Sequence, residues 1–113
     1  MNDCLFCKII AGEIASTKVY EDDDILAFND INPGAPFHFL IIPKKHISTL
    51  NDAQPSEQAL LGKMMTTAAD LAKKHRFAEA GYRITMNCNQ QGGQIIYHLH
   101  LHCLGGRQMR AVG

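Results

Sequence analysis

The chain of 113 residues lacks tryptophan, lacks a net charge and lacks a long apolar run. Its 11 lysines and arginines balance its 11 aspartates and glutamates, so we expect neither a nucleic-acid polymer nor an anionic membrane as its main partner. No apolar stretch approaches the length that spans a membrane. Residues 1–13 contain acidic side chains and lack the apolar run of an export signal. These absences predict a cytoplasmic protein that does not contact membranes.

Hydrophobic residues make up 46% of the sequence, which is typical of a globular protein, and the length favours a single domain over residues 1–113. In the absence of an export signal, the four cysteines are expected to be reduced. The spacing Cys4-x-x-Cys7 then indicates metal or redox chemistry rather than a disulfide scaffold. No β-α-β pattern surrounds the pair, which disfavours a thioredoxin-like role.

Turn residues and apolar periodicity divide the chain into helices and strands. A short helix is predicted over residues 4–11, with Asp3 as its N-cap and Gly12 as its stop. A long helix is predicted to begin near Pro55. Its apolar stripe comprises Leu61, Met64, Met65, Ala68, Leu71 and Ala72. The predicted strands cover residues 18–21, 25–28, 37–42, 82–87 and 95–104. Because strands and helices are segregated, we expect an α+β fold with an antiparallel sheet.

Three histidines at alternate positions, His98, His100 and His102, are the most informative feature of the sequence. Alternation of this kind predicts a strand with the imidazoles on one face. The residues that follow each histidine would face a core: Leu99, Leu101 and Cys103. Imidazole is a nucleophile, a proton carrier and a metal ligand near neutral pH, so the row is either a chemical site or an unusual surface.

A glycine-containing loop precedes this row. An antiparallel pair formed by the last two predicted strands would place Gly92 and Gly93 at one end of the histidine row. Glycine permits positive φ and close backbone approach, and successive N–H groups in such a loop can form an anion-binding nest. Amide donors beside imidazoles predict a phosphate ligand.

Phosphate beside imidazole suggests covalent catalysis, since a neutral imidazole can attack phosphorus. His100 is favoured as the nucleophile because it is flanked on both sides. The flanking histidines could donate to the non-bridging oxygens or protonate a leaving group. Two alternatives remain open: the histidines are structural or solvated, or the His-x-His spacing marks a zinc hydrolase.

The run from His98 to Leu104 matches the His-φ-His-φ-His-φ-φ motif, and the sequence resembles the histidine triad (HIT) family. Further segments resemble its Hint-like branch: residues 6–14, 26–31, 42–47, 81–83, 92–94 and 104–109. These segments occur in the same order as in that branch and cover nearly the whole chain.

The resemblance implies a sheet of about five strands, one long helix and a short N-terminal helix, with the sheet continued across a homodimer. It also implies hydrolysis of purine nucleoside 5′-phosphoramidates, or related nucleoside monophosphate conjugates, through a covalent nucleotidyl-histidine. Catalysis would need no metal. The alternative is a nucleotide-binding regulatory protein with incidental hydrolysis.

By position in this sequence, the resemblance implies that His100 is the nucleophile. His102 and Asn87 would contact the phosphate, together with backbone N–H groups near Gly93 and Ile95. The branch often has serine or threonine where this chain has Ile95, so a hydroxyl near the phosphate is missing here.

The remaining predicted nucleotide contacts come from the first third of the chain. His38 would lie beside His100 and orient it or move a proton, and Asp30 would bind the ribose hydroxyls. The base would lie in an apolar slot formed by Leu5, Phe6, Ile9, Phe28 and Ile31. Such an apolar set could equally be ordinary core.

Some members of the family hold a structural zinc ion, and the resemblance implies that Cys4, Cys7, His46 and His98 are its ligands here. Two thiolates and two imidazoles suit a closed tetrahedral Zn²⁺ site. The ion would attach the N-terminal helix to the sheet and leave His100 for catalysis. The alternative is a pair of reduced, partly buried cysteines on one helical face.

Overall fold

A five-stranded antiparallel sheet with a helix on each face forms the framework of the computed structural model, which describes residues 3–113. The helices are α1 (Leu5–Ile10) and α2 (Gln58–Lys74), and two short 3-10 helices, Leu50–Asp52 and Pro55–Glu57, precede α2. The strands are β1 (Lys18–Glu21), β2 (Ile25–Asn29), β3 (Phe37–Pro43), β4 (Tyr82–Thr85) and β5 (Leu101–Gly105). They lie in the order β1-β2-β3-β5-β4, and every neighbouring pair is antiparallel. The predicted α+β class is confirmed.

Each face of the sheet carries its own hydrophobic core. On β2, Ile25 and Ala27 belong to the core that contains the buried residues of α2, whereas Leu26 and Phe28 pack with Phe6 of α1. Strand β3 divides its apolar residues between the two cores in the same way. Burial on both faces explains why these strands appear in the sequence as continuous apolar runs rather than as alternating ones.

The predicted alternation along the histidine run is correct, but the predicted strand is too long. Leu99, Leu101 and Cys103 lie in the α2-side core, and His102 is paired with Leu40 on β3. The strand begins only at Leu101, because the chain bends over residues 96–98. Alternation reports which way side chains face in an extended chain, and it continues where the backbone has no neighbouring strand.

The N-terminal helix is capped differently from the prediction. Cys4 rather than Asp3 is the N-cap, and its sulfur accepts a hydrogen bond from the Cys7 amide at 3.2 Å. Gly12 has a φ of +79°, and the helix ends shortly before it, as expected for a glycine that adopts the left-handed conformation after a helix. The cap therefore uses the same sulfur that the resemblance assigns to a metal.

The long helix and the fourth strand differ from prediction at their ends. A 3-10 turn over Pro55–Glu57 comes first, and α2 starts at Gln58. Met65, predicted to lie in the apolar stripe, is 49% exposed, and Thr67 is buried instead. Strand β4 ends at Thr85, two residues early. None of the described helices combines the length and apolarity needed to cross a bilayer.

Candidate functional site

A cavity of about 470 Å³ opens between α1, the end of β2 and the histidine segment. Its wall includes every predicted catalytic and nucleotide-binding residue except His38: Leu5, Phe6, Ile9, Phe28, Asp30, Ile31, Asn87, Gly93, Ile95, His100 and His102. The fold therefore brings together side chains from both ends of the sequence.

The His100 ring is held in one orientation by a backbone carbonyl. Its Nδ1 lies 2.7 Å from the carbonyl oxygen of His98. A carbonyl can only accept, so Nδ1 carries the proton and Nε2 carries the lone pair. The residue is 8% exposed, and its Nε2 has no hydrogen-bond partner in the described part of the chain. The unprotonated nitrogen is therefore available to a ligand in the cavity.

The resemblance implied that His38 lies beside His100, but its ring instead contacts His102. The Gly34 amide donates to His38 Nδ1 at 2.9 Å, so the proton of the neutral ring is on Nε2. That Nε2 lies 2.9 Å from His102 Nδ1 and 3.4 Å from Asp30 Oδ2. His102 therefore accepts at Nδ1 and carries its own proton on Nε2. Backbone geometry thus fixes a donor on His102, whose ring lies 5.0 Å from that of His100.

Burial keeps these imidazoles neutral. Desolvation lowers the pKa of His38, of His100 and of His102, and for His102 the pKa falls to about 4. The nearby imidazoles lower the pKa of His102 further. Neutral rings at neutral pH are what both nucleophilic attack and the donor chain just described require.

The predicted base slot is partly core. Phe6, Ile9 and Phe28 are nearly fully buried and pack with one another beneath the sheet, so the alternative of ordinary core packing applies to them as well. Leu5 is 40% exposed and Ile31 is 89% exposed. The wall thus has a buried, packed inner part and an exposed outer edge.

The loop before the histidine run offers fewer free amides than predicted. The Gly93 amide already donates to the Gln90 carbonyl at 3.0 Å, and the Gln94 amide to the Asn89 carbonyl at 3.0 Å. The Asn87 side-chain amide donates to the Gly92 carbonyl at 2.6 Å. The backbone amides near Gly93 and Ile95 were predicted to meet a phosphate. The Gly93 amide is instead hydrogen-bonded within the loop.

Gln94 holds this loop in place, a role that the sequence analysis missed. Its side chain is buried, donates to the Ser48 carbonyl at 2.8 Å and accepts from the Asn89 amide at 2.9 Å. Gly92 is needed for steric reasons, because a Cβ there would lie 2.5 Å from the Cys88 carbonyl oxygen. The loop is thus packed against the protein rather than free.

The four residues predicted to hold a metal converge at the N-terminus of α1. We call Cys4, Cys7, His46 and His98 the Cys/His cluster; its four ligand atoms all lie within 4.8 Å of one another. A tetrahedral zinc ion with the usual bond lengths sets sulfur–nitrogen pairs about 3.6 Å apart and nitrogen–nitrogen pairs about 3.3 Å apart. The recorded sulfur–nitrogen separations are 3.3–3.5 Å, and the two Nδ1 atoms are 3.2 Å apart.

The protonation of His98 supports the same interpretation. Its Nε2 donates to the Pro43 carbonyl at 2.8 Å, so its Nδ1 presents a lone pair to two sulfurs and a second imidazole. This donor set suits a closed zinc site, with the carbonyl orienting the ligand. A second group, Asp30, His38 and His102, also lies within 4.8 Å, but the hydrogen bonds described above account for its close approach.

Phe6 connects the two sites. Its ring meets His100 edge-on at a centroid distance of 5.1 Å and His98 at 6.0 Å. Cys4 lies two residues before Phe6 and Cys7 follows it directly. The segment that carries two residues of the Cys/His cluster thus also carries an aromatic ring of the cavity wall that packs on His100.

Comparison with known proteins agrees with this geometry. The HIT domain model matches residues 11–109. The purine nucleoside phosphoramidase of Escherichia coli strain K12 is 50% identical over 107 residues, which cover 95% of this chain and 90% of that protein. The chain belongs to the HIT family. The resemblance noted from the sequence is confirmed.

Solved structures of the HIT family share the fold over almost the whole chain. A HIT family hydrolase from Legionella pneumophila Philadelphia 1 is 55% identical with a TM-score of 0.94, covering 96% of each chain. A zinc-bound histidine triad family protein from Mycobacterium smegmatis is 31% identical with a TM-score of 0.81, covering 93% of this chain and 76% of that one. The fold is thus that of known HIT proteins.

Several residues of this HIT chain line the cavity without having been predicted to do so: Ile14, Ala15, Ser16, Asn29, Asn32, Leu40 and Ile96. Ser16 is notable because its hydroxyl oxygen is buried with no hydrogen-bond partner among the described residues. Five of these residues lie in irregular segments and two, Asn29 and Leu40, lie in strands. The sequence gives no signal for them as cavity residues, since they approach the cavity only through the tertiary fold.

Proposed function

We propose that this HIT protein hydrolyses purine nucleoside 5′-phosphoramidates, or related nucleoside monophosphate conjugates, through a covalent nucleotidyl-histidine on His100. The observation that carries the proposal is the bond from His100 Nδ1 to the His98 carbonyl at 2.7 Å. It leaves the Nε2 lone pair available to the cavity. The 50% identical Escherichia coli protein, a purine nucleoside phosphoramidase, supports the substrate class.

The chemistry takes two displacements at phosphorus. In the first, His100 Nε2 forms a bond to phosphorus, the phosphorus–nitrogen bond of the substrate breaks, and the leaving amine takes up a proton from solvent. In the second, the oxygen of a water molecule attacks phosphorus, the bond to Nε2 breaks, and the water proton leaves to solvent. His102 Nε2–H donates to a non-bridging oxygen in both steps, where negative charge develops.

The remaining contacts follow from the cavity wall. Asp30 binds the ribose hydroxyls, because its carboxylate lines the cavity and only accepts hydrogen bonds. Asn87 and the backbone amide of Ile95 meet the phosphate, with Gly93 shaping the loop beneath it. His38 acts through His102 rather than on the substrate. The base lies in the slot formed by Leu5, Phe6, Ile9, Phe28 and Ile31.

A nucleophile variant tests this function. His100→Ala should lower turnover of a purine nucleoside phosphoramidate by roughly 10³-fold or more, while nucleoside monophosphate binding, measured by calorimetry, persists. The matched control is His75→Ala, since His75 packs against Phe39 in the other core. Retained turnover in His100→Ala would end the proposal. Tight nucleotide binding without turnover in the wild-type protein would favour a regulatory binding protein instead.

We also propose that the Cys/His cluster holds a structural zinc ion that attaches α1 to the sheet. When bound, the ion would supply folding energy to a six-residue helix that is too short to be stable alone. Elemental analysis of the purified protein should give one zinc per chain. Cys7→Ser should lose it, and Cys88→Ser, outside the cluster, should keep it. Full zinc content in Cys7→Ser would contradict the site.

We further propose that residues 1–113 form a single domain and that two copies pair through the edge strand β4. This strand lies at one end of the sheet order, and all four of its residues are half-buried. An unpaired edge is a template for a neighbouring strand, so pairing there would continue the sheet across a homodimer. Sedimentation velocity should show a dimer, and a monomer at every concentration would contradict the pairing.

A further inference from the structure

We propose that Arg107 is a positioning residue that sets the proton positions of His38 and His102 through the turn at Gly34. The proposal rests on the role given above to His102 as a donor to the phosphate. It concerns a residue outside the cavity wall, in the segment that follows β5.

The guanidinium of Arg107 holds one carbonyl with two hydrogen bonds. Its Nε and one terminal nitrogen donate to the Gly34 carbonyl oxygen at 3.2 Å and 2.9 Å. Charge-assisted bonds from a planar guanidinium restrict geometry more than a single neutral bond does. Gly106, at a φ of +94°, lets the chain approach Pro36 closely enough for this contact, since a Cβ there would lie 2.8 Å from the Pro36 side chain.

Gly34, whose carbonyl accepts from Arg107, also donates its own amide to His38. The Gly34 N–H points at His38 Nδ1 at 2.9 Å. With that nitrogen accepting, the proton of His38 is on Nε2 and is donated to His102 Nδ1 at 2.9 Å. The proton of His102 is then on Nε2, on the side available to a phosphate. Arg107 and His102 are thus linked through Gly34 and His38. Two hydrogen bonds join Arg107 to Gly34, one joins Gly34 to His38, and one joins His38 to His102.

Loss of the Arg107 contact would release this arrangement. If the Gly34 amide moves away, the proton of His38 can occupy Nδ1, and Nε2 then accepts from His102. His102 would in turn present a lone pair to the phosphate instead of a donor. Asp30, whose Oδ2 lies 3.4 Å from His38 Nε2, still favours the original form, so the change is partial.

Arg107→Met tests the link, with Arg83→Met as the matched control. Arg83 also donates to a backbone carbonyl of the C-terminal tail, that of Arg110, but it does not touch the Gly34 turn. We expect kcat to fall about tenfold in Arg107→Met with KM nearly unchanged, because complete loss of one such donor costs roughly 10²–10³. Arg107→Lys, which keeps one donor, should recover part of kcat.

The decisive readout is spectroscopic and does not depend on activity. Long-range ¹H–¹⁵N correlation spectra report which ring nitrogen carries the proton. The wild-type protein and Arg83→Met should show Nε2–H on both His38 and His102, and Arg107→Met should show a mixture. Unchanged tautomers in Arg107→Met would overturn the proposal. If the wild-type protein shows these tautomers but turns over no phosphoramidate, the proposed function fails while this link stands.

Discussion

Replacing Phe6 by leucine tests whether the cavity wall binds a nucleobase. Phe6 is 2% exposed, and its ring meets Phe28 and His100 edge-on at 5.5 Å and 5.1 Å. Each such contact is worth about 0.5–1.5 kcal/mol beyond buried area. Adding the small void that leucine leaves, we expect the free energy of unfolding to fall by about 2 kcal/mol. Losing one aromatic contact to the base should cost about 1 kcal/mol, which raises KM about fivefold.

The matched control is Phe77→Leu in the other core. Phe77 is 3% exposed and stacks on Phe37 at 4.7 Å, so its loss of stability in urea denaturation should be similar. Steady-state kinetics with a purine nucleoside phosphoramidate should show a raised KM only for Phe6→Leu. If both variants raise KM equally, or if Phe6→Leu leaves KM unchanged, the wall does not bind the base.

Three further predictions concern stability and metal. Gly105→Ala should lower the free energy of unfolding by about 1–3 kcal/mol, because its Cβ would lie 2.3 Å from the Phe77 ring. The control Gly62→Ala, where the new Cβ meets open space on α2, should raise the free energy of unfolding by up to about 1 kcal/mol. Equal urea midpoints for the two variants would refute the packing argument. Burial lowers the pKa of His102 from 6.5 to about 4, so unfolding takes up a proton between these values and stability falls as the pH drops through that window. Relative to His102→Gln, urea denaturation should show an extra loss of up to about 3 kcal/mol at pH 4, and parallel pH profiles would contradict it. Removing bound metal with a chelator should loosen α1, which raises KM several-fold and speeds amide hydrogen exchange in α1. An unchanged KM in the metal-free protein would show that the Cys/His cluster does not shape the base slot.

The first three strands were predictable because their sequences allow few alternatives. Strand β1 has the predicted limits, and β2 and β3 each extend one residue beyond the prediction. The apolar runs of β2 and β3 are short and bounded by turn residues, which rules out long helices. The predicted start of β5 was wrong, because the alternation from His98 to Cys103 carries no information about hydrogen bonding to a neighbouring strand. The predicted burial of Met65 was wrong, because periodicity cannot place the edge of an apolar stripe.

Which residues come together was predictable, and how they are connected was not. The triad spacing and the resemblance together indicated His100, Asp30 and the Cys/His cluster; the fold places His100 and Asp30 in the cavity wall and brings the four cluster residues together at the start of α1. His100 was the wrong predicted neighbour for His38. The register of β3 against β5 decides which imidazoles meet, and the sequence does not give that register. The roles of Gly34 and Arg107 could not be inferred, since they depend on a hydrogen bond between segments 73 residues apart.

Mass spectrometry of the protein quenched during turnover tests the central claim most directly. With a purine nucleoside phosphoramidate as substrate, a nucleotidyl adduct should appear on the peptide that contains His100, and it should be absent from His100→Ala. An active enzyme that shows no adduct, or one on another residue, would contradict attack by the Nε2 of His100.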